Sequence, residues 1–230
     1  MVQVRPPQFQ SAERGPAVDI RVAAFSVIGK ELRVAETLAD GEWRLPRAFP
    51  AVAGSLDTHA RALLEDDLGI PARYLEQLYT LSVETARGWT VVVSYLALVD
   101  NMGTRQSNAT VRWTTIGSAS TDETDAMVLQ YAITRLRAKV GYTTVALKLI
   151  PEPFTLRDVQ VVYEAILGHP LDKRNFRRRL TAANVLQPSG GQRREGSHRP
   201  ALLYTARNRD DQEAYLTPTW SDARPAGESG

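Results

Sequence analysis

The chain has no cysteine among its 230 residues. That excludes disulfides, thiol catalysis and cysteine-ligated zinc, and it suits a cytoplasmic protein. Histidine is nearly as scarce: His59, His169 and His198 are too scattered to suggest a metal site. No apolar run reaches the roughly 18 residues that a membrane-spanning helix requires. Met1 to Gly15 is polar and contains prolines, without the apolar stretch of a secretion signal. What remains is a chain with 43% hydrophobic residues, enough for a substantial core, and a net charge of only +2.

That charge is unevenly spread. From Gly141 to Ala206, ten cations face five acids, whereas the first 140 residues come to −1 and the tail from Arg207 to −2. A basic module joined to a near-neutral one fits a DNA-binding unit attached to a separate sensing or assembly unit.

The basic module begins with two short helical patterns. Thr155 is a candidate N-cap, with Leu156, Val159, Val162, Tyr163 and Ile166 following at helical spacing. Gly168-His169-Pro170 stops that helix. A second starts near Asp172 and carries Lys173, Arg174, Asn175, Arg177, Arg178 and Arg179. Phe176 and Leu180 share one face and anchor it. At about 100° per residue, Arg174, Arg177, Arg178 and Thr181 point the other way. This is the helix-turn-helix pattern, whose second helix enters the major groove. Asn184 to Gln187 and Ala201 to Tyr204 read as strands flanking a basic, glycine-rich loop over 188–199, containing Arg193, Arg194, His198 and Arg199. With that hairpin the module becomes a winged helix.

Upstream, Val18, Ile20, Val22 and Ala24 alternate as in a half-buried strand, and Gly29-Lys30 turns into a second strand through Leu32 and Val34. A loop is expected through Asp40, Gly41 and Pro46. Ser55 caps a helix with Ala60, Leu63, Leu64 and Leu68 on its apolar face, ended by Gly69. Residues 74–83 and 89–100 read as long strands, the second central, and Arg112-Trp113 as a short one. Residues 121–140 read as one linking helix, with acids first and cations last. Met127, Tyr131, Ile133 and Leu136 form its expected buried side. Residues 144–150 read as a strand.

The segment ending Leu64-Glu65-Asp66-Asp67-Leu68-Gly69-Ile70 resembles the Nudix box, whose pattern closes R-E-U-x-E-E-x-G-U with U apolar. The spacing fits without a gap, but the chemistry does not. The upstream glycine and glutamate positions fall on Ala48 and Gly54, the arginine and first glutamate on Ala62 and Leu63, and the last two glutamates on Asp66 and Asp67. Nudix carboxylates hold divalent cations that activate water. Leu63 removes one, and each aspartate sets its oxygens back by roughly 1.3–1.5 Å. No catalytic or metal-binding residue is therefore assigned.

A degenerate Nudix domain followed by a linking helix and this winged helix resembles the Nudix-related transcriptional regulators of NAD metabolism, the NrtR family. Phe154 to Gly168, Leu171 to Leu180 and Arg199-Pro200-Ala201 carry most of the resemblance, and Tyr74 to Thr80 also fits. It covers about residues 17–206 and implies an α+β fold: an N-terminal Nudix-like α/β/α sandwich joined by a helix to a C-terminal winged helix-turn-helix domain. The expected divisions are a loose segment 1–15, an effector or dimerisation domain 16–120, a linker helix 121–140, a DNA-binding domain 141–206 and a tail 207–230.

The resemblance implies a homodimeric repressor of NAD biosynthesis or salvage genes, bound to a palindromic operator and responsive to ADP-ribose or a related nucleotide. Operator contacts would come from Lys173, Arg174, Asn175, Arg177, Arg178, Arg179 and Thr181, with Arg193, Arg194, His198 and Arg199 of the wing. Trp43, Arg44, Arg47, Glu65 and Asp66 would hold the effector. Where relatives have Gly-Gly after Leu-Pro, this chain has Arg47-Ala48, and Arg47 either adds a phosphate contact or narrows the pocket. Two rival readings stand beside this one: an active Nudix hydrolase with an accessory nucleic-acid module, and a DNA-binding scaffold whose first domain binds nothing.

Overall fold

The computed structural model describes residues 17–51, 53–85, 88–102, 104, 110–119, 122–194 and 200–207. Strand β1 (Ala17–Ile28) is central to a mixed sheet. It pairs antiparallel with β2 (Glu31–Ala39) through the Gly29-Lys30 turn and parallel with β6 (Gly88–Leu98), which pairs with β5 (Tyr74–Thr85). β2 also pairs with β3 (Glu42–Arg44) and β7 (Val111–Thr115), while β4 (Arg47–Ala48) pairs with β1. The expected loop after β2 is in fact a hairpin. Asp40 and Gly41 both have positive φ, 52° and 80°, the conformation a two-residue turn needs to match the strands' twist.

The alternation along β1 sends its residues to two different cores. Ile20, Val22 and Ala24 pack with Ala60, Leu63 and Leu64 of helix α1 (Leu56–Ala62) and the wide π turn that continues it (Leu63–Asp67), and with Ile70 just beyond. Ala23, Phe25 and Val27 pack with Val128, Ala132 and Leu136 of α2 (Glu123–Tyr142). The result is the expected α/β/α sandwich. The half-buried reading of β1 is corrected, because Asp19 (1% exposed) and Arg21 (6%) are buried as well.

The second core does not stop at the sandwich. It runs on through Val145, Ala146, Leu147 and Leu149 into Phe154, Val159, Val162, Tyr163, Ile166, Phe176 and Leu180 of α3 (Leu156–Leu167) and α4 (Lys173–Ala183). Sandwich and helix-turn-helix therefore share one continuous apolar cluster.

Residues 144–150 are not a strand. Val145–Leu149 forms a 3₁₀ turn in which the Leu147 N–H donates to Thr144 O (2.9 Å) and the Ile150 N–H to Leu147 O (3.3 Å). Wedged between two helices, the backbone satisfies itself locally and all four aliphatic side chains face inward.

The expected buried side of α2 is also rotated. Ile133 and Leu136 are buried as expected, but Met127 and Tyr131 are about half exposed, and Val128, Leu129, Ala132 and Val140 take their place. Two charged residues set the rotation. Asp125 must face Arg21, and Lys139 must face the Tyr74 hydroxyl (2.6 Å) and the Glu76 carboxylate (2.8 Å). Tyr131 lies against Tyr79 of β5, ring centroids 4.4 Å apart.

Candidate functional site

The helix-turn-helix is fixed by its caps. Thr155 Oγ1 accepts from the Asp158 N–H (3.2 Å), and Asp158 returns the bond to the Thr155 N–H (2.8 Å), which closes a capping box. Gly168, with φ 78°, ends α3 in the left-handed region that glycine adopts without strain. The Glu164 carboxylate then accepts from the Leu171 N–H (2.9 Å) and from Gln160 Nε2 (2.8 Å), pinning the turn. Asp172 caps α4 by accepting from the Asn175 N–H at 2.7 Å.

Phe176 and Leu180 anchor α4, with Phe176 edge-on to Tyr163 at 5.3 Å. Lys173, Arg174, Arg177, Arg178 and Thr181 are exposed, as their helical phase requires; Asn175 and Arg179 are half-buried. Arg178 donates to Asn175 Oδ1 at 3.0 Å, so these two residues form one polar unit on the outer face.

The wing departs from expectation. Strand β8 (Leu186–Arg193) runs through the Pro188-Ser189-Gly190-Gly191 stretch read as loop, and pairs with β9 (Ala201–Ala206) across a bulge between Pro188 and Gln192. Phe154 adds a third strand position by pairing with Tyr204. Asn184, expected in a strand, instead ends α4 with φ 52°. Arg193 is not in a free loop. It donates to Asp158 (2.9 Å) and to Pro153 O (3.0 Å), which clamps the wing to the start of α3. Arg194 is exposed. His198 and Arg199 lie outside the described residues.

The sandwich carries a cleft of about 410 Å³ lined by Glu42, Trp43, Arg44, Arg112, Ser118, Ala119 and Asp122. The Arg112 guanidinium lies 4.4 Å over the Trp43 ring and pairs with the buried Glu36 at 2.8 Å. Arg44 bridges Asp122 (2.5 Å) and Glu42. Behind it, Arg21 donates to Asp122 (2.8 Å), Asp125 (2.6 Å) and Asp19 (3.1 Å). Partial burial works to raise the Asp122 carboxyl pKa, but the Asp125 N–H and the guanidinium groups of Arg21 and Arg44 prevail and bring it down to about 2. At Asp125 burial wins, and its pKa lies above the usual range despite Arg21.

Of the five residues expected to hold an effector, Trp43 and Arg44 meet in this cleft. Arg47 does not line it, being paired with Asp19 at 2.7 Å and lying over Phe49. Glu65 and Asp66 are exposed on the π turn and do not line the cleft; Glu65 pairs with Arg61 at 2.8 Å. Arg112, Ser118 and Asp122 were missed, since only the pairing of β7 with β2 and the start of α2 bring them to Trp43. Leu63, at the Nudix glutamate position, is 6% exposed and packs into the α1 core. Among the described residues, no three histidine or carboxylate side chains converge as metal ligands, and no helix is long and apolar enough to cross a membrane.

These two units define a winged helix-turn-helix protein with a Nudix-type sandwich. A family model described as the NrtR DNA-binding winged helix domain matches residues 146–206. The ADPR responsive transcriptional repressor NtrR of Acinetobacter baylyi is 32% identical over 216 residues, 86% of this chain and 85% of that protein. Shewanella oneidensis NrtR, solved in complex with a 27mer DNA, matches with a TM-score of 0.79 at 28% identity, over 88% of this chain and 98% of that one. A MutT/nudix family protein from Enterococcus faecalis shares the fold alone, with a TM-score of 0.63 at 17% identity over 84% and 88% of the two chains. The chain belongs to the NrtR family.

Proposed function

We propose that this chain is a transcriptional repressor acting in the cytoplasm, binding a palindromic operator as a homodimer and releasing it when an ADP-ribose-like nucleotide occupies the sandwich. The observation that carries the reading is α4: a capped, core-anchored helix whose exposed face is Lys173, Arg174, Arg177, Arg178 and Thr181. The resemblance noted above points to NAD biosynthesis or salvage genes as its targets. Residues 16–120 would sense the nucleotide, 121–140 link and 141–206 bind DNA, with Arg194 of the wing on a phosphate.

In the cleft, Trp43 and Arg112 offer a flat surface to a base, and Arg44 a charge-assisted partner to a diphosphate. A diphosphate that draws Arg44 from Asp122 loosens the cap of α2, since the same carboxylate accepts from the Asp125 N–H at 3.0 Å. The far end of α2, through Leu136 and Val140, packs in the core it shares with α3. That gives the two sites a physical connection.

Fluorescence anisotropy of a labelled operator, with and without ADP-ribose, tests the reading. ADP-ribose is expected to weaken operator binding by about fivefold or more, and Arg44→Ala to blunt the response. Equal affinity with and without saturating nucleotide would sink the sensing role.

The same sandwich is proposed to be catalytically inactive. Leu63 in the core leaves the helix without its first carboxylate, and Asp66 and Asp67 are shortened. Incubated with ADP-ribose and magnesium or manganese, the protein is expected to form no product at an ordinary enzyme rate of about 1 per second. Turnover at that rate, abolished by chelator, would restore the hydrolase reading.

A further inference from the structure

A groove of about 860 Å³ separates the sandwich from the helix-turn-helix, and both supply its cations. Lys30 comes from the β1–β2 turn, Arg137 from α2, Arg157 from α3, His169 from the following turn, and Lys173 and Arg177 from α4. The five lysines and arginines are exposed. The acids on the groove walls are already engaged: Glu31 pairs with Arg33 at 3.0 Å, and Glu164 accepts the two bonds that pin the turn. Among the described residues, Lys30, Lys173 and Arg177 take part in no ion pair. A concave strip of cations, three of them outside any ion pair, attracts a polyanion.

We propose that this groove takes a DNA phosphate backbone, so that the sandwich domain touches DNA itself, through Lys30. The inference rests on the DNA-binding reading above. Its basis is continuity as well as charge: Lys173 and Arg177 line the groove and also stand on the exposed face of α4, next to Arg174 and Arg178. A duplex that receives α4 in its major groove carries a phosphate row along each side of that helix. The wing serves one side. The other passes into this groove, between Lys173 and Arg177 on one wall and Lys30 on the opposite wall. Arg137 is held at the groove by its Nε bond to Ile166 O at 3.0 Å. Because Lys30 and Lys173 belong to different units, a change in tilt between the units breaks the shared grip.

The experiment is a salt titration of binding to a labelled duplex of random sequence, since phosphate contacts are sequence-independent. Lys30→Glu is expected to lower affinity about three- to tenfold near physiological salt and to reduce the slope of log K against log salt by about one. Lys30→Arg should keep both. Arg61→Glu makes the same charge change on α1, which covers the opposite face of the sheet, and should alter affinity less than about twofold if contact rather than net charge matters. Lys30 is an exposed turn residue, so its variants should melt like the parent, and Arg61→Glu, which loses an exposed ion pair with Glu65, should melt only slightly lower. The inference is overturned if Lys30→Glu binds like the parent, or if Arg61→Glu weakens binding as much. A parent protein that does not bind the random duplex at low salt would overturn the DNA-binding reading as well, a result distinct from either of these.

Discussion

Arg178→Ala is expected to cost about 1–3 kcal/mol of operator binding and to narrow the gap between operator and random DNA. Arg178 and Asn175 lie one helical step apart on the outer face of α4, and the Arg178 guanidinium already donates to Asn175 Oδ1. A carbonyl oxygen has two lone pairs, so Asn175 can keep that bond and still accept from an adenine amino group. Arg178 then retains donors for a guanine edge. Removing Arg178 takes away one base contact and frees the Asn175 rotamer, so the loss falls mainly on sequence discrimination. Arg194→Ala, on the wing, should weaken operator and random DNA alike and reduce the salt slope by about one. Salt titrations of both variants on an operator selected from random duplexes separate the two patterns. Parent-like operator binding by Arg178→Ala would mean that α4 is not the reading helix.

Arg193 is a less direct probe of a wing phosphate contact than Arg194. Its bonds to Asp158 and Pro153 O make it a clamp between wing and helix-turn-helix. Arg193→Ala should therefore act by loosening the wing. The sequence places Arg193 and Arg194 side by side in a glycine-rich basic stretch, and nothing local distinguishes them. What separates them is that Arg193 is the last residue of β8, paired with Ala201 and turned to Asp158, whereas Arg194 lies just past the strand's end.

Other features divide in the same way between local and distant causes. The caps at Ser55 and Thr155, the helix start near Asp172, the stop at Gly168 and the anchors Phe176 and Leu180 are legible because each is decided within one or two helical turns. The helix-turn-helix could therefore be read almost residue by residue. The cleft at Trp43 could not. Trp43 and Arg44 were named, but Arg112 and Asp122 reach them only through sheet pairing and the start of a helix far along the chain. The rotation of α2 has the same origin. Its sequence offers apolar residues on more than one side, and the choice is made by Asp125 and Lys139 finding partners on β1 and β5. Strand β1 was misjudged for the complementary reason. Asp19 and Arg21 look like the wet side of an amphipathic strand until carboxylates more than a hundred residues away close over them.

That buried network gives the largest expected effect on stability. Arg21→Met is expected to destabilise the fold by about 3–5 kcal/mol, because it leaves carboxylates buried without their main countercharge. Arg21 bonds Asp19, Asp122 and Asp125 together, and the side chains of Asp19 and Asp125 are each only 2% exposed. Methionine fills similar space, so the loss is electrostatic more than a cavity effect. With a urea dependence of about 2–3 kcal/mol per molar, the unfolding midpoint should fall by about 1–2 M. Adding Asp125→Asn should recover part of the deficit, since it removes one of the stranded charges. The pH dependence has a definite sign. In the parent protein, Asp122 has a folded pKa of about 2 against its ordinary 3.8, so its contribution is present above about pH 4 and lost as pH falls toward 2. Without Arg21 that depression shrinks, and protonation relieves the repulsion among the remaining acids. The stability gap between parent and Arg21→Met should therefore narrow as pH is lowered from about 7 to about 3. A variant within about 1 kcal/mol of the parent at neutral pH, or a gap that does not change with acid, would show that Arg21 is not what holds α2 to the sheet.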